Sequence, residues 1–232
     1  WRIMIQCAAV ILLMWQTGLF DIGIFLLFVT FIFVVGMINA FNFMDGINGI
    51  TALYSLAIIA SLYFINQFII PFIESEYFVS IIASLLAFSF FNVRKKAKAF
   101  AGDVGSVSIA FIISFLLIKL MIQTQSAVWI LLLSIYGIDA VCTICFRIIR
   151  RENIFNAHRS HFYQFLANEM NFKHVAVSSV YASVQLILNF IIIYSYVNHQ
   201  IYIPLVCFFA LIISYLISRF ILEGKTKLLI RY

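Results

Sequence analysis

Asp45 precedes a glycine within Asn39-Ala40-Phe41-Asn42-Phe43-Met44-Asp45-Gly46-Ile47-Asn48-Gly49, and Asp103 stands between glycines in Ala101-Gly102-Asp103-Val104-Gly105-Ser106. His158 and His161 lie three residues apart in a third polar segment that also holds Arg150, Arg151 and Arg159. A carboxylate in a glycine-rich segment just before a helix can offer oxygen to Mg²⁺, while backbone N–H groups, a helix N-terminus and neighbouring lysines such as Lys98 attract phosphate. The two histidines would share one face of a helix. They could bind a metal, hold phosphate oxygens or move protons, and the surrounding arginines favour phosphate. Each segment also has a purely structural reading. Asn39, Asn42 and Asn48 could cap helix ends, Asp45 could favour a helix N-terminus, and Asp103 could cap a helix that starts at Val107.

The elements that must position these residues are membrane helices. The chain is 65% hydrophobic and 10% charged, with a mean hydropathy of +1.10, far more apolar than a soluble domain at roughly half apolar and a quarter charged. Apolar stretches approach the roughly 20 residues needed to cross a hydrocarbon core about 30 Å thick, and no barrel-like alternation is present. The expected fold is an all-α polytopic bundle of eight helices in one domain. They run from Ile3 to Trp15, Leu19 to Ile38, Ile50 to Phe72, Tyr77 to Phe91, Val107 to Ile122, Ala127 to Phe146, Val175 to Val197 and Tyr202 to Leu222. Polar loops at 39–49, 92–106 and 147–174 and a tail at 223–232 connect or follow them.

Lys and Arg concentrate in cytoplasmic loops of membrane proteins. Here every second connection is basic: Arg94, Lys95, Lys96 and Lys98; then Arg147, Arg150, Arg151, Arg159 and Lys173; then Lys225, Lys227 and Arg231. The alternate connections hold Asp21, Glu74 and Glu76, with Lys119 nearby. All the polar segments, and the chain start at Arg2, are therefore expected on the cytoplasmic face. The same bias accounts for the net charge of +6, and the chain has no soluble basic domain or aromatic face that would suit a nucleic acid. Cys7, Cys142, Cys145 and Cys207 lie in apolar runs, where cysteine packs as a small hydrophobe. A transporter would place ionisable groups near the bilayer midplane on broken helices with repeat symmetry, whereas these motifs cluster in loops on one side.

Taken in order, Asn39 to Ile50 (NAFNFMDGINGI), Ala99 to Ser106 (AFAGDVGS) and Glu152 to Gln164 (ENIFNAHRSHFYQ) resemble the motifs of the polyprenyl-phosphate N-acetylhexosamine-1-phosphate transferase family. The resemblance implies that a UDP-N-acetylhexosamine gives its sugar 1-phosphate to undecaprenyl phosphate at a bacterial plasma membrane. UMP leaves and a lipid-linked diphosphate sugar remains, for O-antigen, lipopolysaccharide, capsule or teichoic-type glycan. It implies Mg²⁺, with Mn²⁺ as an alternative ion, and membrane lipids and a second copy of the chain as partners.

Carried over position by position, Asp103 resembles the metal ligand, and Asn42 and Asp45 resemble polar residues of the nucleotide-sugar site. Phe100 is similar to an aromatic that stacks on uracil, and Asn48 to a uracil contact. His158, Arg159 and His161 resemble the His/Arg-rich loop that meets pyrophosphate and sugar. Lys98 and Arg151 join them as expected anion contacts. The family also carries an Asp-Asp pair upstream of the helix beginning at Ile3, and no adjacent acidic pair occurs in these residues. The expectation is therefore a fragment that starts at Trp1 and has little activity by itself, or a catalytically dead lipid-binding or scaffold relative. Asp139 lies inside the sixth expected helix, where an acid is either functional or satisfied by a Ser, Tyr or Arg of the bundle.

Overall fold

The computed structural model describes residues 2–154, 156 and 158–230, without the side chains of Arg2, Ile3 and Ile22. Trp1, Phe155, Ala157 and Arg231, used in the reading above, lie outside the described residues. Among the described residues every regular element is helical: α1 (Arg2–Gln16), α2 (Ile24–Met44), α3 (Ile50–Phe68), α4 (Ser75–Asn92), α5 (Gly102–Thr124), α6 (Ser134–Ile149), the single turn α7 (Phe162–Gln164), α8 (His174–Val197), α9 (Tyr202–Leu222) and α10 (Lys225–Leu229). A 3₁₀ segment, Ala127–Leu133, runs into α6, and a π turn, Phe165–Glu169, follows α7. Seven of these spans are long and apolar enough to cross a membrane, and α1 is a shorter apolar helix. The expected all-α polytopic bundle is what forms, and the chain is a multi-pass membrane protein.

Several boundaries differ from the sequence reading, each for a local reason. α2 starts at Ile24 rather than Leu19, because Gly18 and Gly23 take φ of 74° and 92° around a 3₁₀ turn. It also continues past Ile38 to Met44, so Asn39 and Asn42 lie on its last turns and not in a loop. The extension keeps a helical face buried, since Val34, Met37, Ile38, Phe41 and Met44 recur at helical spacing against the core. α3 stops at Phe68 rather than Phe72, since Pro71 disfavours helical geometry at Ile70 and the Asn66 carboxamide caps the N–H groups of Phe72 and Ile73 at 2.9 and 3.1 Å. α5 begins at Gly102, five residues before Val107. Asp103 thus sits within its first turn, where a carboxylate complements the exposed N–H groups.

The core is organised around α3. Of its apolar span 67% is buried, against 17% for α4 and 6% for α9, so α3 is central and the other two present most of their surface to lipid. α3 packs chiefly on α8 and α4, while α2 packs on α5. Several polar groups within the spans find partners in one another, as the membrane interior favours. Tyr54 donates to Gln185 at 2.9 Å, Gln185 donates to Asn189 at 2.7 Å, and Asn189 donates to Ser61 at 2.9 Å, tying α3 to α8.

Candidate functional site

At the C-terminal end of α2 and the N-terminal end of α5, two carboxylates are held by a small set of hydrogen bonds. The Asn42 carboxamide donates to Asp103 Oδ1 at 2.8 Å and to Ser106 Oγ at 3.1 Å. Asp45 accepts from Thr51 Oγ1 at 2.7 Å through one oxygen and from the Gly102 N–H at 2.9 Å through the other. Residues 57 to 64 apart in sequence therefore meet because one helix ends where another begins. Burial pushes the Asp45 carboxyl above its ordinary value, against the pull of the Thr51 and Gly102 hydrogen bonds, and the nearby Asp103 charge adds to the rise. Asp103 itself is exposed.

The turn between α2 and α3 is fixed from below. Asn48 donates to the carbonyls of Arg94 and Lys95 at 3.0 and 3.3 Å, and its own carbonyl accepts from Ser178 Oγ at 2.8 Å. Asn92 accepts from the Gly49 N–H and donates to the Ala99 carbonyl, both at 2.8 Å. Gly46 allows the closest approach: a Cβ there would lie 2.3 Å from the Tyr163 hydroxyl. That hydroxyl donates to the Phe43 carbonyl at 2.9 Å, which docks the histidine segment on the end of α2.

His158 and His161 do not share a helix. They precede α7, and their rings lie 5.0 Å apart at an angle of 30°. His158 is half-buried, stands 5.9 Å from the Phe43 ring and contacts Ser160 Oγ through Nδ1 at 3.1 Å. Burial, with the Arg147 charge close by, brings its imidazole down to about 4, so the ring is neutral near pH 7. His161 is 1% exposed. Its Nδ1 lies 3.2 Å from Asp139 Oδ1, and its Nε2 has no hydrogen-bond partner among the described residues.

Asp139, left open by the sequence, is completely buried and surrounded by donors. Thr143 and Tyr215 reach Oδ1 at 3.2 Å, Tyr181 reaches Oδ2 at 2.6 Å, and the N–H groups of Phe162 and Tyr163 donate at 3.1 and 3.3 Å. Arg219, also buried, donates to Thr143 and Tyr215 at 3.0 and 3.2 Å, to the Ser160 carbonyl at 2.9 Å, and pairs with Glu223.

The expected site residues divide into groups. Asn42, Asp45 and Asp103 meet directly, and His158 and His161 flank them through Phe43 and Tyr163. Phe100, 70% exposed, and Ala101 border an apolar groove of about 430 Å³ between α4 and α5 that Thr51 also lines. Lys98 and Arg151 are exposed on the same end of the bundle. Arg159 instead lines a recess of about 240 Å³ with Arg150, Glu152, Glu223 and Lys227, none of which belongs to the acidic cluster. A second apolar cavity, of about 340 Å³, lies between α2 and α6 and reaches Asn39 and Phe43.

Thr51, Ser106, Tyr163 and Arg219 were not singled out by the sequence. Ser106 and Tyr163 stand inside the quoted motifs, and Arg219 is a cation within an apolar helix, which is a signal in its own right. The donors at the acidic cluster suit Mg²⁺. The ion usually keeps several waters and takes one or two carboxylates plus substrate phosphates, and an exposed Asp103 beside an amide offers that. Among the described residues no group of three or more His, Cys, Asp or Glu forms a protein-only cage.

A family model described as Glycosyl transferase family 4 matches residues 1–121. Phospho-N-acetylmuramoyl-pentapeptide-transferases from Streptococcus pyogenes serotypes M3 and M1 are 36% identical over 105 and 104 residues. These stretches cover 43% of this chain but only 30% and 29% of the relatives' length. The matched region runs through Asn42, Asp45, Asn48, Phe100 and Asp103, in two of the three segments on which the resemblance was drawn, and the chain belongs to glycosyl transferase family 4.

Proposed function

We propose that the protein transfers an N-acetylhexosamine 1-phosphate from a UDP-sugar to undecaprenyl phosphate, on the cytoplasmic face of a bacterial plasma membrane. The observation that carries this reading is the meeting of Asn42, Asp45 and Asp103 at one end of a membrane bundle, with His158 docked beside them and apolar cavities alongside. A reaction between a water-soluble diphosphate and a lipid phosphate needs this juxtaposition, because one substrate arrives from solvent and the other keeps its tail in hydrocarbon.

Asp103 would hold Mg²⁺, which when bound would offset charge on the donor's diphosphate oxygens. Asn42 orients the Asp103 carboxylate by taking one oxygen. Asp45, with both oxygens engaged, holds the start of α5 against the end of α2. Phe100 offers an exposed ring to uracil. His158, neutral near pH 7, serves as a hydrogen-bond partner, and Lys98 and Arg151 supply positive charge. The α2/α6 cavity adjoining Phe43 suits the prenyl chain.

The decisive measurement uses full-length protein in vesicles containing undecaprenyl phosphate, with UDP-N-acetylglucosamine, UDP-N-acetylgalactosamine and UDP-N-acetylmuramoyl-pentapeptide as donors. The last is included because the relatives' name specifies that group. Mg²⁺-dependent formation of UMP and a lipid-linked sugar from one donor supports the proposal. Absence of product from every donor, together with no Mg²⁺-dependent binding of UDP, sinks it.

A further inference from the structure

Asp139 belongs to no motif that carried the functional reading, yet its surroundings fix the hydrogen-bond polarity of the histidine segment. Arg219 cannot give up its charge in a protein and only donates. Its guanidinium donates to the oxygens of Thr143 and Tyr215, so both hydroxyl protons are free to point to Asp139 Oδ1, which lies 3.2 Å from each. Tyr181 and the N–H groups of Phe162 and Tyr163 donate as well. Every one of these neighbours of Asp139 is a donor, which suits an ionised carboxylate that can only accept. The remaining neighbour, His161 Nδ1, must therefore carry a proton to bond it. The ring's other nitrogen, Nε2, is buried beside His158 without a partner among the described residues.

We infer that Asp139 is a positioning residue. It holds His161 with the proton on Nδ1 and keeps Nε2 as an acceptor that no described protein group fills, left for a donor of the substrate. The two backbone N–H bonds from α7 to the same carboxylate fix the segment's position, so ring orientation and ring tautomer have one origin. The inference rests on the proposed sugar-phosphate transfer for its kinetic consequence but not for its structural one.

The test uses full-length protein with ¹⁵N-labelled histidine in lipid nanodiscs. Wild-type His161 is expected to show a protonated Nδ1 and an unprotonated Nε2. In Asp139→Asn the side-chain amide can donate to Nδ1, moving the proton to Nε2. The wrong tautomer in a catalytic Asp–His pair lowers turnover by about 10⁴-fold, and a loss of about 10²-fold or more in kcat is expected here, with donor KM within about twofold. Tyr181→Phe removes the 2.6 Å bond to the same carboxylate without touching Nδ1. It should lower the thermal midpoint while keeping the ¹⁵N shifts and kcat.

A wild-type proton on Nε2 overturns the inference. So does Asp139→Asn with unchanged shifts and kcat, or Tyr181→Phe with a kcat loss as large as that of Asp139→Asn, the mark of a mere staple. Should Asp139→Asn not accumulate, the wild-type shifts and the Tyr181→Phe kinetics decide. A wild-type protein that transfers no sugar phosphate refutes the proposed reaction, while the nitrogen shifts still decide the tautomer.

Discussion

The two halves of the site spend their carboxylates in opposite ways. Asp103, at the start of α5, is exposed and shares one oxygen with Asn42. Asp139, in α6, is sealed from solvent and takes donors from its own helix, the histidine segment, α8 and α9. Asp103 is open to solvent. Asp139 is consumed by the protein, and the segment it consumes is the one carrying His158 and His161.

The largest effect that would break this contrast is expected at Asp103. Asp103→Asn keeps the shape and the contact with Asn42 but removes the charge, and Mg²⁺-dependent transfer should fall by about 10²-fold or more, while the thermal midpoint moves little. Full Mg²⁺-dependent turnover in this variant would show that the exposed carboxylate is not the metal ligand. The seam between the two halves comes next. Gly46→Ala places a methyl group 2.3 Å from the Tyr163 hydroxyl and 3.2 Å from its ring, and overpacking of this kind costs about 1–3 kcal/mol. The midpoint should drop and activity with it. Pairing the change with Tyr163→Phe removes the nearest atom and should restore part of both. Equal destabilisation in the single and double variants would mean that the halves do not press on each other at Gly46.

The same contrast sets how much was legible in the sequence. The acidic half could be read because its residues stand in short glycine-rich motifs, and because Asn42 and Asp45 need only a helix end to reach Asp103. Even so, α2 and α5 extend into stretches that looked like loops, since burial of Phe41 and Met44 and the helix-compatible Gly102 to Ser106 outweighed their polar composition. The histidine half was less legible. The spacing of His158 and His161 suggested a helical face, but the N–H groups that a longer helix would use internally are claimed by Asp139, a contact over 23 and 24 residues that no local pattern encodes. Arg159 reads as a phosphate contact by its neighbours in sequence, and in the fold it lines the recess it shares with Arg150, Glu152 and Lys227.

A smaller, purely functional effect is expected at Phe100. Its ring is 70% exposed and holds up no core, so Phe100→Ala should leave the thermal midpoint within error. Base stacking on an aromatic contributes about 1–3 kcal/mol by alanine substitution, which predicts a rise of roughly tenfold or more in donor KM with kcat nearly kept. A lower midpoint without any KM change would make the ring a lining of the α4/α5 groove and nothing more.

The smallest effect concerns His158 and separates it from a charged phosphate clamp. Burial, with Arg147 adding to it, lowers its imidazole from 6.5 to about 4 in the folded protein. Between those values the unfolded chain binds a proton that the folded chain refuses, so the His158 contribution to stability is present above pH 6.5 and is lost as pH falls toward 4. The ring is only half-buried, and solvent screening keeps the contribution small. Thermal midpoints measured from pH 7.5 to 4 should fall more steeply for the wild type than for His158→Gln, with the difference confined to that window. A wild type whose midpoint holds up better than the variant's under acid would mean that the folded state favours the imidazolium. The histidine half would then be contributing charge to the phosphates after all, as the arginines around it first suggested.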